Sequence, residues 1–160
     1  MRRLKLTIMV VLAATCGPKA ISGNAGVDYP LAYRSWQHVK TMIIRPGHSL
    51  EDPFGGIHHI YANAKATRGL ASGQYEDGAV FVFDLLDYED SNQMIVEKDR
   101  KRIDVMQFDG ELFSDTGGWG FETFLGDSAT ERLEQDVVVA CYGCHIPAKE
   151  SNYVYSQYRP

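Results

Sequence analysis

Two thiols and an imidazole fall within five residues, Cys141-Tyr142-Gly143-Cys144-His145, and no other stretch of this 160-residue chain carries as much chemistry. A Cys-x-x-Cys pair can close a disulfide, pass electrons as a dithiol, or supply half of a tetrahedral zinc site. With histidine directly after the second cysteine, the spacing also suits covalent haem attachment. The thiols would add to the porphyrin vinyl groups as thioethers and hold the imidazole beneath the iron. A redox dithiol belongs at a strand-to-helix junction early in a βαβ unit, whereas this motif lies close to the C-terminus with no βαβ pattern after it. Zinc needs four ligands, and the neighbouring pair His58 and His59 would point to opposite faces of a strand. One haem c, attached at Cys141 and Cys144 with His145 as proximal iron ligand, therefore fits best. A structural disulfide or a redox pair are the alternatives.

Such chemistry needs export and a rigid support. The first residues place Arg2, Arg3 and Lys5 before an apolar run, Leu6 to Ala14, followed by small and polar residues. That is the layout of a signal peptide and too short to span a bilayer. We expect residues 1–25 to be this signal, cleaved between positions 16 and 26, and residues 26–160 to form one haem domain in the periplasm. Lipid anchoring through Cys16 is disfavoured, because Ala-Ala-Thr-Cys lacks the usual leucine. Residues 1–24 hold four of the 16 cations and no acid, leaving 12 cations against 21 acids, a net charge of −9. An acidic chain of this kind repels nucleic acid.

Alternation and turn signals predict strands over Val39 to Ile44, Ile57 to Ala62, Ala79 to Leu86, Arg102 to Asp109, and around Trp119 to Phe124. A helix is expected from Ser128 as cap through the cysteine motif. The fold class is α+β, mainly antiparallel β-sheet with a few helices.

With these pieces in view, the chain resembles the cytochrome P-460 family, which includes the cytochromes c′-beta. The likeness rests on "YRSW", "HIYAN", "GQYEDGAVFV", "GGWGFETF", "CYGCH" and "YVYSQYRP", in family order. It implies a homodimer with one c-type haem, proximal histidine, and the opposite haem face open to small molecules. In hydroxylamine-oxidising members a lysine on the strand after the "DG" turn is bonded to the porphyrin edge; Phe83 stands at that position here. Members without the bond resemble cytochromes c′-beta, whose distal pocket is lined by phenylalanine. Phe83 and Phe54 are the distal candidates, and Phe81 is expected on the opposite sheet face from Phe83.

An apolar distal pocket favours a small neutral ligand such as nitric oxide over anions. The reading is a pentacoordinate haem cytochrome that binds nitric oxide or a similar nitrogen compound and exchanges electrons with an unidentified redox partner. Hydroxylamine oxidation and plain electron carriage are the alternatives. The enzyme reading would call for a buried acid, with Glu122 and Glu111 as candidates. His38, His48, His58, His59, Met42, Met94 and Met106 are candidate sixth ligands without supporting spacing. Lys40 and Lys65 are candidate crosslinking residues from other strands. Arg45, Arg68 and Arg100 are candidate propionate partners.

Overall fold

A computed structural model describes residues 26–134, 136 and 138–159. The expected signal segment and Cys16 lie outside the described residues. Five strands, β1 (Gln37–Ile44), β2 (Gly56–Ala62), β3 (Val80–Ser91), β4 (Met94–Phe108) and β5 (Trp119–Leu125), form one antiparallel sheet in chain order. The α+β expectation holds, and all five predicted strands are present. β3 and β4 run further than their apolar cores. They continue as a largely solvated ribbon to a two-residue turn at Asn92 and Gln93, both with positive φ, the backbone that a tight hairpin requires.

Because successive side chains alternate across a strand, the sheet divides its residues between two cores. The front face carries Ile60, Ala62, Phe81, Met106, Trp119 and Phe121, with Phe83 packed beside them. The back face carries Val82, Ile103, Val105 and Phe124, covered by Val27 and Tyr33 from the segment before β1. Phe81 and Phe83 therefore share the front face. The expectation that they oppose one another is corrected, since residues two apart on a strand point the same way.

Helix α1 (Ala64–Ser72), which periodicity did not reveal, covers part of the front face through Ala66 and Leu70. Asn63 caps it: its Oδ1 accepts from the Ala66 amide at 2.8 Å, while its Nδ2 donates to the Gly78 carbonyl at 2.8 Å. Gly73, at φ 75°, ends it in the left-handed conformation.

The helix expected from Ser128 does not begin there. The Ser128 hydroxyl accepts from the Glu131 amide at 2.9 Å, but the chain then turns back along β5, with Arg132 bridged to Phe124. The edge of β5 offered unpaired backbone groups: the Leu125 amide donates to the Glu131 carbonyl, and the Thr123 carbonyl accepts from the Leu133 amide. Helical structure starts only at Val138. It runs as a π turn (Val138–Tyr142), an α turn (Gly143–His145) and a 3-10 stretch (Ile146–Ser151). Gln135 and Val137 lie outside the described residues.

Candidate haem site

The motif is held by the tail that follows it. After the 3-10 stretch the chain reverses at Asn152, whose carbonyl accepts from the Trp119 indole at 2.9 Å. Val154 then enters the front core. Gly117, at φ 68°, permits this approach: a Cβ there would lie 2.3 Å from the Tyr153 ring. The returning tail supplies two hydrogen bonds to the motif. The Tyr155 hydroxyl donates to the Cys144 carbonyl at 2.8 Å, and the Tyr153 carbonyl lies 2.6 Å from Nδ1 of His145.

That second contact sets the tautomer. A carbonyl only accepts, so Nδ1 carries the hydrogen and the neutral ring keeps its lone pair on Nε2. Burial pushes the His145 pKa below its ordinary value, which favours the neutral ring. An imidazole oriented by a backbone carbonyl, with a free second nitrogen, is what an axial metal ligand needs. Its ring also packs 5.4 Å from that of Phe121.

Both thiols are free. Cys141 is half-buried and packs on the front core, while Cys144 is exposed. Burial, and then the Asp104 carboxylate, push the Cys141 thiol up to about 12. A thiol so raised is a poor thiolate nucleophile, which weighs against the redox-dithiol alternative. The donor set fits a c-type haem: two unpaired thiols and an oriented imidazole on adjacent helical turns, beside an aromatic sheet face.

On that same face Phe83 meets Phe54 edge to face, with ring centroids 6.3 Å apart. His58, fully buried, packs 4.4 Å from Phe83, and its Nε2 donates to the Phe54 carbonyl at 2.5 Å. His58 Nδ1 has no hydrogen-bond partner among the described residues. Burial holds the His58 pKa down at about 4.

The acids picked from sequence fall elsewhere. Glu122 is buried, but it lies on the back face opposite Val105 and is paired with Arg132 and the Thr123 amide. Glu111 sits on an exposed turn after β4. Both are corrected as front-face acids. The carboxylate that does lie there is Asp104, in register with Phe83 and Thr123 across β3, β4 and β5. It accepts from the Thr123 hydroxyl at 2.6 Å and from Arg102 Nε at 3.0 Å. Burial pushes its pKa upward, opposed by Arg102. Sequence reading missed it because the stretch Arg102 to Asp109 carries polar residues in both phases of the alternation.

The remaining candidates separate readily. His38 and His48 are exposed, as is Met94 near the β3–β4 turn. His59 points away from His58 and meets the Thr41 hydroxyl at 2.8 Å. His58, Met42 and Met106 lie with the front core. Lys65 donates to the Asp77 carbonyl at 2.7 Å, and Lys40 lies half-buried on β1. Arg45 pairs with Asp90, Arg68 with Glu76, and Arg100 with the buried Asp84. Arg100 is thereby committed to the back face and corrected as a propionate partner. A cleft of about 870 Å³ opens among His48, Glu51, Asp87 and Lys101; none of Cys141, Cys144 and His145 lines it.

No curated protein matches the chain. The family model described as Cytochrome P460 matches residues 30–156, from just before the first turn to the tail that holds His145. The chain belongs to the Cytochrome P460 family and is a haem-iron cytochrome.

Proposed function

We propose that this protein is an exported mono-haem c-type cytochrome that binds nitric oxide or a similarly small, neutral nitrogen compound and exchanges electrons. Cys141 and Cys144 would form the thioethers, and Nε2 of His145 would be the proximal iron ligand. The hydrogen bond between His145 Nδ1 and the Tyr153 carbonyl carries this reading, because it presents Nε2 as the free donor. When bound, the haem would supply an iron able to take up a small ligand. Phe83 and Phe54 would line the space for that ligand. Their rings offer no lone pair and no hydrogen-bond donor, so they exclude water and disfavour anions. Export, attachment in the periplasm and association as a homodimer belong to the same proposal.

The test is the optical spectrum of the mature protein made in a host able to attach haem. The expected result is a coloured protein, high-spin when ferric, that takes up nitric oxide when ferrous. A colourless product, or a low-spin spectrum from two histidines or histidine and methionine, would overturn it.

Asp104 favours a second reading, oxidation of hydroxylamine. A buried carboxylate with a raised pKa on the motif's side of the sheet could hold a proton at Oδ1 or Oδ2. Phe83, standing where crosslinked relatives carry lysine, weighs against it. Peptide mapping that finds a third protein–haem bond, together with turnover by an added oxidant, would promote this reading.

A further inference from the structure

Phe54 lies just ahead of β2, on a short turn spanning Glu51–Phe54, a region with little packing of its own. Its ring is nevertheless gripped. On one side it meets Phe83 at an interplanar angle of 87°. The Arg102 guanidinium carbon lies 4.6 Å from its centroid. Arg102 is itself fixed: its side chain is only 11% exposed, and Nε donates to Asp104 Oδ2 at 3.0 Å. Asp104 in turn is held by Thr123, on the next strand, at 2.6 Å. From the other end, His58 holds the Phe54 carbonyl. A chain of contacts thus runs from β5 through β4 to one aromatic ring.

We propose that Arg102 is a positioning residue that clamps the Phe54 ring against Phe83, and that this clamp sets how readily, and how large, a ligand reaches the iron. The inference rests on the distal role given above to Phe54 and Phe83. A surface arginine stacked on a ring would be a weak restraint, but this guanidinium is desolvated and anchored to a buried carboxylate. Both conditions strengthen the attraction of a cation for a ring face. Lysine at 102 would keep the charge and lose the flat fork that allows stacking and carboxylate binding together.

The experiment uses the haem-loaded protein with 4-fluorophenylalanine incorporated, the Phe54 line being assigned by its loss in Phe54→Leu. Wild type is compared with Arg102→Lys and with Arg102→Met/Asp104→Asn, the double variant leaving no buried charge unpaired. The clamp predicts that both variants narrow the Phe54 fluorine line. It also predicts carbon monoxide association with the ferrous protein faster by about fivefold or more, with a larger factor for the bulkier ethyl isocyanide. In a Phe54→Ala background, replacing Arg102 should add nothing further. An unchanged fluorine line, association accelerated by the same factor for both ligands, or full additivity of an acceleration with Phe54→Ala would overturn the clamp. A narrowed line without any change in association would overturn the distal placement of Phe54, and a colourless protein would overturn the haem reading. The fluorine line still decides the clamp in either case.

Discussion

At the scale of single residues, His58 shows how burial converts an ordinary imidazole into a pH-dependent element. Its folded pKa of about 4 lies below the 6.5 of an exposed histidine. Between these values the unfolded chain binds the proton and the folded one does not. The associated stability is therefore complete above pH 6.5 and is lost as the pH falls toward 4. At 1.36 kcal/mol per unit, the effect is about 3 kcal/mol at most. Asp104, pushed upward by burial, acts with the opposite sign, since its contribution is present at low pH and lost as the pH rises. Comparing urea midpoints of wild type and His58→Gln across pH 4 to 7 isolates the histidine. The variant should show the shallower dependence, and parallel curves would refute the assignment.

At the scale of elements, two short polar signals do what propensity alone does not. Asn63 joins the end of β2, the start of α1 and the turn before β3 through its single amide, also accepting from the Val80 amide at 3.2 Å. An N-cap replaced by alanine costs about 1 kcal/mol, up to about 2. Asn63→Ala, which loses three such bonds at once, should fall at or above the top of that range. Thermal melts of the two proteins measure it, and a loss within error would show the cap to be dispensable. The tail behaves similarly. Its Tyr-Val-Tyr alternation places Val154 in the core and turns Tyr153 and Tyr155 toward the motif. In the sequence this stretch stood out only as the last piece of the family resemblance, "YVYSQYRP". That its partner is His145 depends on the reversal at Asn152, a left-handed residue that sequence does not announce.

At the scale of the whole molecule, one sheet separates two tasks. The front face gathers the aromatic rings and the thiol motif. The back face is closed by the segment before β1, pinned by a buried ionic cluster: Asp84 accepts from the Tyr33 hydroxyl at 2.7 Å and from Arg100 Nε at 2.6 Å, with Arg34 beside it at 3.4 Å. Burial, followed by the Asp84 carboxylate, pushes the Tyr33 pKa upward, so Tyr33 donates throughout the working range. Removing Asp84 takes the acceptor from the buried Tyr33 hydroxyl and leaves Arg100 with only the exposed Asp127 as counter-charge. Asp84→Ala should therefore destabilise the protein by about 3–5 kcal/mol, read from chemical denaturation. A change below about 1 kcal/mol, as for an exposed pair, would show that water already screens the cluster. Front-face ligand binding should survive in whatever fraction remains folded, because the cluster lies across the sheet from the motif.

Local pattern sufficed wherever neighbours along the chain decide the outcome. The five strands, the α+β class, the cysteine–histidine spacing and the opposed directions of His58 and His59 all follow from alternation and adjacency. Tertiary structure decided what depends on residues distant in sequence. Glu122 and Asp104 are both acids on adjacent strands, yet register sends one to Arg132 behind the sheet and the other to Arg102 in front. The free edge of β5 captured residues that read as helix, because unpaired backbone groups outweigh a weak helical preference. The tautomer of His145 was settled by a carbonyl eight residues later that only a reversed tail could deliver. Spacing names the groups able to react; the sheet and the contacts across it decide which of them face one another.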